Sequence, residues 1–343
     1  MFRMKYLPAS MLLAVLFLCV QAAHGSEIQV TPGMNPGALQ AQTRSLPPGS
    51  TIRLMPGHYT QGLLFSELRG TPQAPIRITA DGGVTLDGWV DKAAKKFNPG
   101  SGVELGKCSN VIVEGLQITG FGRGITLGSC QMVTLRANTI TDVSNYGIMS
   151  YMSDGTSILE NTIERSYVEH GIYISGVGKQ ITISKNKIRD THINGIHING
   201  AVVAPKISDN TLEHIGYFPT PEGGAALTLI GGVTNPVVEG NRFKDIYGQG
   251  ITLDAPNAVI RDNTFDSCLW SDILGLTNAA TLHLENNKFQ NSKAVPLQFT
   301  KAAVASMTAS GDRFTTSGPV VEETDTHKTY SFKDWQAMGK DAR

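Results

Sequence analysis

Apolar and polar residues alternate over short runs along most of this chain. Ile172-Tyr173-Ile174 and Ile181-Thr182-Ile183 show the pattern clearly. Alternation with a period of two residues is typical of a β-strand with one buried face, whereas a helix repeats about every 3.6 residues. The pattern therefore predicts a protein built from many short strands.

An asparagine followed two residues later by an apolar residue recurs along the chain, at intervals of 22 to 31 residues. The members of this series are Asn138, Asn161, Asn186, Asn210, Asn241, Asn263 and Asn287, with Gly115 and Asp312 at its two ends. A Gly-Ile series runs in phase with it at Gly124, Gly147, Gly171, Gly195 and Gly250, and Ala226-Leu227 fills the missing place. Two patterns that share one period indicate one structural unit per period.

A unit of 22–25 residues has room for three short strands and three turns. Stacked units pair their strands about 4.8 Å apart, and their inward apolar side chains form one column that no single unit can bury alone. The repeat therefore predicts an all-β solenoid, a single-stranded parallel β-helix, with about eight to nine coils between residues 108 and 315.

The asparagine series is interpreted as a ladder along one turn. Asparagine tolerates the left-handed backbone of a tight turn, and its amide can bond to the next asparagine in the stack. Gly115 suits such a turn because it has no Cβ, and Asp312 can imitate asparagine there.

Residues 26–330 are expected to form the β-helix as one domain, with a cover at each end because an open coil presents unpaired strand edges. A short N-terminal capping helix is predicted over residues 37–44. Residues 331–343 are expected to form a C-terminal capping segment, in which Phe332, Trp335 and Met338 recur at helical spacing.

The first 25 residues are interpreted as a signal peptide. Arg3 and Lys5 precede a ten-residue apolar run, and Ala23-His24-Gly25 offers small residues for cleavage. That run is too short to cross a bilayer, which takes about 20 residues. We therefore expect no membrane span and a periplasmic or secreted protein.

The charge balance argues against a nucleic-acid partner. Without Arg3 and Lys5, the chain has 27 basic and 29 acidic residues, whereas nucleic-acid binding needs a clear basic excess. The three cysteines outside the first 25 residues are too few for a disulfide-built scaffold. Cys108 and Cys130 fall at nearly equivalent places on adjacent coils, which leaves open a disulfide bridge or a pair of small buried side chains.

Aligning the coils on the Gly-Ile series shows which side chains point outward and places Tyr173 and His197 one coil apart in one column. The outward residues with useful chemistry gather on neighbouring coils: Tyr146, His170, Tyr173, Asn194, His197 and Asn199. Arg165 and Arg189 follow the asparagine turn near the same coils. Each residue alone is explained by packing or solvation, but the joint cluster predicts a functional face.

One coil is longer than the others by about seven residues, and the surplus falls at residues 216–224. Long loops often carry function, and this one is expected to wall a groove beside the histidine and tyrosine face. No set of acidic residues indicates a calcium site, and no His/Cys spacing indicates zinc. The requirement for a cofactor is left open.

Four segments carry a resemblance: residues 48–59 (PGSTIRLMPGHY), 70–76 (GTPQAPI), 170–175 (HGIYIS) and 332–336 (FKDWQ). Together they resemble the pectate-lyase-like superfamily of right-handed parallel β-helix proteins. The resemblance implies a right-handed coil and an acidic polysaccharide as the partner. The chain lacks the Asp-Pro-His-Asp string of mannuronan epimerases, the aspartate trio of polygalacturonases and the Arg-x-Pro-x-x-Arg of pectate lyases, so no catalytic set is transferred.

The favoured hypothesis is an exported lyase that cleaves a uronate-containing polysaccharide by β-elimination. That chemistry needs a group that neutralises the carboxylate, a base at C5 and an acid at the departing oxygen. Asn194, Asn199 or Arg189 are candidates for the first task, His197 or His170 for the second and Tyr173 for the third. Tyr146 and Arg165 complete the predicted binding residues.

Two alternatives stay open. A C5 epimerase of the same substrate class would use the same parts, and a non-catalytic β-helix that binds or guides polysaccharide during export would need only the groove. A glycoside hydrolase would need paired carboxylates, which this face does not offer.

Overall fold

Three β-sheets run along the molecule, and successive coils of the chain contribute strands to each sheet in turn. The computed structural model describes residues 25–218 and 223–341. Within these residues the first sheet has 12 strands, the second 11 and the third 13, and neighbouring strands pair almost entirely in parallel. The predicted parallel β-helix is confirmed, with about 12 coils.

The strands of the first sheet are Glu27–Val30, Thr51–Leu54, Ile76–Ala80, Ser109–Glu114, Gln131–Arg136, Ser157–Leu159, Thr182–Ser184, Lys206–Ser208, Val237–Glu239, Val259–Arg261, His283–Glu285 and Thr308–Ser310. The strands of the second sheet are Gly57–Tyr59, Val84–Asp87, Gln117–Thr119, Thr139–Val143, Thr162–Ser166, Lys187–Thr191, Thr211–Ile215, Arg242–Ile246, Thr264–Cys268, Lys288–Gln290 and Arg313–Phe314. The strands of the third sheet are Leu63–Ser66, Trp89–Asp91, Lys96–Gly106, Phe121–Gly128, Tyr146–Tyr151, Ile172–Ser175, Ile196–Asn199, Ala225–Ile230, Gln249–Leu253, Ile273–Gly275, Leu297–Phe299, Val321–Glu323 and Thr329–Tyr330. A small additional sheet pairs Gly178–Lys179 with Val202–Val203. Between residues 108 and 315 the first sheet contains nine strands, in agreement with the predicted eight to nine coils.

The interior is a continuous column of stacked apolar side chains. Ile148, Ile172 and Ile196 are paired in register on successive coils, and each is fully buried. Three phenylalanines, Phe243, Phe265 and Phe289, likewise stack with ring centroids 4.8 and 5.1 Å apart. Each coil completes the burial of its neighbour, which is the reason the repeat stabilises itself only as a stack.

The Asn ladder, formed by the seven asparagines of the series, lies in the turn between the first and second sheets. Each of the seven is at most 1% exposed. Asn186 is typical: its Oδ1 accepts from Asn161 N and Nδ2 at 2.9 and 3.0 Å, and its Nδ2 donates to Asn210 Oδ1 at 2.9 Å. The ladder satisfies buried backbone groups from one coil to the next, as the sequence predicted.

Two details of the predicted ladder were wrong. The left-handed backbone belongs to the residue before each asparagine, such as Ala137 with φ 51°. Gly115 lies level with Ala137, because Gln117 pairs with Thr139. Leu116 therefore occupies the first place of the ladder, and its N–H donates to Asn138 Oδ1 at 3.1 Å.

The far end of the ladder is acidic. Asp312 Oδ1 accepts from Asn287 N at 2.7 Å and from Asn287 Nδ2 at 2.9 Å, as predicted for an aspartate that imitates asparagine. Asp341 Oδ1 in turn accepts from Asp312 N at 2.8 Å. The other oxygen of Asp312 is buried without a hydrogen-bond partner among the described residues.

Short helices occur close to both predicted positions, and a third lies between them. The helix Pro36–Thr43 begins after Asn35, whose side chain accepts from the N–H groups of its first turn. The helix Phe332–Ala337 begins with a capping box at Ser331. Its Trp335 is fully buried and donates to Asp341 Oδ2 at 2.9 Å. The third helix spans Lys301–Ser306. The predicted signal peptide lies outside the described residues, apart from Gly25.

Cys108 and Cys130 are free, buried thiols on adjacent coils. Cys108 Sγ lies 3.4 Å from Gly106 O, and Cys130 Sγ lies 3.5 Å from Gly128 O, so the two side chains have equivalent surroundings. The hydrogen bond with the Cys130 thiol, followed by burial, raises the pKa of Cys108. Of the two expectations, the structure has the pair of buried small side chains.

Candidate functional site

The candidate residues of the sequence lie mainly on the third sheet. Tyr173 pairs in register with His197, which confirms that they occupy one column on adjacent coils. Met149 precedes them and Thr228 follows them in that column. The strand alternation turns these side chains outward while the neighbouring isoleucines fill the core.

Four rings form a contiguous group, here called the ring cluster: Tyr146, Tyr173 and His197 on this sheet, and His170 in the turn before the strand of Tyr173. The rings of Tyr146 and Tyr173 are stacked, with centroids 5.2 Å apart. The centroid of Tyr173 lies 5.4 Å from that of His170 and 5.2 Å from that of His197. The structure therefore brings together the three predicted catalytic residues and one predicted binding residue.

Hydrogen bonds join the two imidazoles to a buried asparagine. His197 Nδ1 lies 2.9 Å from His170 Nε2. His170 Nδ1 lies 3.4 Å from Asn194 Nδ2. Asn194 Oδ1 accepts from the backbone N–H of Ala225 at 2.9 Å and lies 3.2 Å from the Thr228 hydroxyl. His170 and Asn194 are 6% and 7% exposed, so they are held more firmly than freely solvated side chains.

Burial keeps both imidazoles neutral at neutral pH. It lowers the pKa of His170 to about 3, with a further contribution from the charge of His197, and it lowers the pKa of His197 to about 4. Burial, and then the charge of Glu169, raises the pKa of Tyr146. The Nε2 atom of His197 is buried and has no hydrogen-bond partner among the described residues.

Arg165 and Arg189 follow the asparagine turn, as the sequence indicated, and both belong to the second sheet. Arg165 makes two hydrogen bonds to the carboxylate of Asp142, at 2.7 and 2.9 Å. Arg189 stands in a column of alternating charge, in register with Glu164 on one side and Glu213 on the other. Both arginines already have acidic neighbours, and no described contact joins them to the ring cluster.

Asn199 lies at the far end of the strand that carries His197, and its side chain packs against Gly231, where a Cβ would lie 2.2 Å from Asn199 Oδ1. It makes no described contact with the ring cluster.

Two charged residues beside the ring cluster were not selected from the sequence. Arg123 pairs in register with Tyr146, and its Nε donates to Ser101 Oγ at 3.2 Å. Among the described residues it makes no ion pair. Glu169 Oε2 lies 3.5 Å from His170 Nε2. Arg123 was detectable in principle, because it precedes Gly124 as Tyr146 precedes Gly147.

Aromatic residues line the turn that leads from the second sheet to the third. Phe218, at the start of the long loop, lies with its ring centroid 4.8 Å from that of Tyr167. The ring centroid of Phe97 lies 5.3 Å from that of Tyr167. The tip of the loop, residues 219–222, lies outside the described residues. The described part supplies an aromatic edge on the coils of the ring cluster, and the groove wall expected from this loop stays a prediction.

A search of the described residues found no group of three or more His, Cys, Asp or Glu side chains that could hold a metal ion. The same residues include no helix long and apolar enough to cross a membrane.

The sequence matches the family model of the right-handed β-helix region over residues 76–233 and 205–314. The chain belongs to the right-handed β-helix family. No curated protein matches the sequence. The expectation of a right-handed, pectate-lyase-like coil is thus confirmed.

Solved structures similar to this β-helix include lyases and an epimerase named for alginate or pectate. The alginate lyase from Paenibacillus sp. str. FPU-7 is 17% identical, with a TM-score of 0.58 over 86% of this chain and 99% of that one. Pectate lyase Pel9A is 15% identical, with a TM-score of 0.58 over 85% and 81%. The periplasmic alginate epimerase AlgG is 14% identical, with a TM-score of 0.53 over 87% and 82%. Identities this low establish the shared fold alone.

Proposed function

We propose that this β-helix is an exported lyase that cleaves a uronate-containing polysaccharide by β-elimination at the ring cluster. The observation that carries the proposal is the contact of two neutral imidazoles and two tyrosines on one face, beside Arg123, which makes no ion pair with any described residue.

The parts match the needs of β-elimination. A proton leaves C5 of the uronate, its electrons form the C4=C5 double bond, the C4–O4 bond breaks, and O4 gains a proton. Negative charge develops on the carboxylate, and pre-placed donors stabilise it. Arg123 is suited to bind that carboxylate, since arginine pairs with carboxylates through two parallel N–H groups. Tyr173, His197 and His170 are the groups available to move or share protons.

A hydrolytic function is less well supported. Glycosidases use two carboxyl groups on either side of the scissile bond, whereas Glu169 is the one carboxylate with a described contact to the ring cluster.

A non-catalytic polysaccharide binder is the second candidate, and the burial of the site favours it. His170 is 6% exposed and His197 Nε2 is covered, as in a cluster that only stabilises the coil. The aromatic edge and Arg123 would then bind the chain without cleaving it. Periplasmic or extracellular action follows in either case if residues 1–25 direct export.

The deciding experiment incubates the purified protein with a panel of acidic glycans, including alginate, pectate and glucuronan. A lyase produces new absorbance in the ultraviolet band of unsaturated uronates. An epimerase produces none but exchanges the C5 proton for deuterium from heavy water. If neither signal appears with any glycan that binds, the enzymatic proposal fails and the binder is supported.

A further inference from the structure

We propose that Asn194 is a positioning residue that fixes the protons of the ring cluster, so that His170 and His197 each carry their proton on Nε2. The inference follows from the hydrogen-bond partners of one buried amide.

The side-chain amide of Asn194 has only one orientation that satisfies its neighbours. The backbone N–H of Ala225 lies 2.9 Å from the Asn194 side chain, and the hydroxyl of Thr228 lies 3.2 Å from the same atom. A backbone N–H can only donate, so the atom that faces it must be the amide oxygen. The amide nitrogen of Asn194 therefore faces His170.

That nitrogen decides the tautomer of His170. Asn194 Nδ2 lies 3.4 Å from His170 Nδ1, and an amide NH₂ group has no lone pair to offer. His170 Nδ1 must accept, so the proton of the neutral ring lies on Nε2. Glu169 favours the same form, because its Oε2 lies 3.5 Å from His170 Nε2 and a carboxylate attracts an N–H and repels a lone pair.

The tautomer of His197 follows from the tautomer of His170. His170 Nε2 lies 2.9 Å from His197 Nδ1. Since His170 donates in this hydrogen bond, His197 accepts, and its own proton lies on Nε2. That Nε2–H is buried and has no hydrogen-bond partner in the described part of the chain, a state that costs about 1–3 kcal/mol. A ligand oxygen can pair with this donor only if binding uncovers it, because the atom is buried.

These tautomers change which residue can act as the base. Neither imidazole offers a lone pair to a substrate, so the sequence-based choice of His197 or His170 as base gives way to Tyr173. This step rests on the proposed elimination: once Tyr173 has released its hydroxyl proton to solvent water, its oxygen takes the C5 proton, the C4=C5 bond forms as C4–O4 breaks, and Tyr173 passes that proton to O4. His197 Nε2–H stabilises charge on the substrate as a neutral donor, a role known for imidazole in other enzymes.

The test is a direct observation of the tautomers in the intact protein. Protein labelled with ¹⁵N-histidine is examined by long-range ¹H–¹⁵N correlation near neutral pH, with His170→Gln and His197→Gln to assign the signals. Both rings should show the pattern of a proton on Nε2 and a bare Nδ1. A His197 ring with its proton on Nδ1 would overturn the proposal.

Asn194→Asp sharpens the test, because a carboxylate replaces the NH₂ donor with an acceptor. His170 Nδ1 must then become protonated, whether the ring stays neutral or gains a charge. An Nδ1 that stays bare in this variant also contradicts the proposal. Asn199→Asp is the matched control: the same substitution, two residues beyond His197 and outside the hydrogen-bond chain, should leave both rings unchanged. The spectra need no substrate, so a failed activity assay would overturn the proposed function and leave the tautomers assigned.

Discussion

Two groups of polar side chains lie on the same coils of this β-helix, the Asn ladder and the ring cluster, and they differ in how far one residue type repeats. The Asn ladder places one residue type in seven successive coils, joined by hydrogen bonds of 2.9–3.1 Å between each amide and the next asparagine. The ring cluster changes residue type from coil to coil and leaves the Nε2 of His197 without a partner among the described residues.

The repeated asparagines are needed by every coil of the stack, whereas the residues of the ring cluster are not. Every coil exposes the same backbone groups at its turns, and a repeated amide satisfies them with the same geometry. The stack does not require a tyrosine or a histidine in the column of Tyr173 and His197, because Met149 and Thr228 occupy the same column in the coils on either side. Local departures of this kind are where functional sites are expected.

Loss of the Tyr173 hydroxyl is the largest expected effect on function. Tyr173→Phe should lower the turnover of the best acidic glycan about 10²–10⁴-fold, the usual contribution of a group that moves a proton in the transition state. The thermal melting temperature should change little, because the hydroxyl makes no described hydrogen bond. Initial rates of absorbance increase, with melting as the folding control, measure both quantities.

Tyr151→Phe is the matched control for that experiment. Tyr151 lies on the same sheet, on the coil before Tyr173, is 46% exposed and makes no described contact with the ring cluster. It should keep full activity. Equal rates for the Tyr173 and Tyr151 variants would remove Tyr173 from the proposed mechanism.

The ladder gives the next largest effect, on stability. Asn186→Leu leaves Asn161 N and the carbonyl of Ile158 without their partner, and each buried group so orphaned costs about 1–3 kcal/mol. The free energy of unfolding from urea titration should therefore fall by at least about 2 kcal/mol. Asn278→Leu, on an exposed asparagine, should cost less than about 1 kcal/mol. Comparable losses in the two variants would contradict the structural role of the ladder.

The sequence predicted the coils and the column of Tyr173 and His197, because inward isoleucines and turn asparagines repeat with a fixed spacing. It did not predict which residues approach one another around a corner of the coil. Arg165 and Arg189 are close in sequence to the ring-cluster residues, yet the chain bends between the second and third sheets after each of them. Gly115 was placed one residue out of register because Leu116 replaces the expected asparagine.

The hydrogen bond between His197 and His170 was beyond prediction for a different reason. It crosses from one column to another on adjacent coils, and such a contact depends on side-chain rotamers that a repeat does not fix. The same holds for Arg123, whose importance comes from the absence of a described acidic partner rather than from its residue type.

Asp312, at the acidic end of the Asn ladder, can be replaced by asparagine so that the ladder gains one more member. Burial raises the pKa of Asp312 to about 7, whereas an aspartate in an unfolded chain titrates near about 3.9. Between these values the folded state holds a proton that the unfolded state has released, so the free energy of unfolding falls as the pH rises. Asp312→Asn does not titrate and continues the ladder. It should raise the free energy of unfolding by about 1–3 kcal/mol above pH 7, where the wild-type oxygen is buried without a partner.

Urea titrations across the window from about pH 4 to pH 7 measure this effect. The Asp312→Asn protein should lose less stability than the wild type as the pH rises. The free energy of unfolding of this variant should still fall somewhat as the pH rises, because burial also raises the pKa of Asp272 to about 7. Identical pH dependence in the two proteins would show that Asp312 is ionised in the folded state.

The smallest expected effect distinguishes two arginines that the sequence did not separate. Arg123 precedes Gly124 on the third sheet and has no described acidic partner, whereas Arg189 lies between Glu164 and Glu213 in a repeating charge column on the second sheet. A hydrogen bond to a charged group contributes about 1.5–3 kcal/mol, and about 1.4 kcal/mol is a factor of ten. Arg123→Gln should therefore lower kcat/KM on a uronate polymer about tenfold or more, while Arg189→Gln should keep the wild-type value. Steady-state rates measure both values. If kcat/KM fell only in Arg189→Gln, Arg189 on the second sheet would be the residue that binds the carboxylate, and Arg123 would not belong to the site.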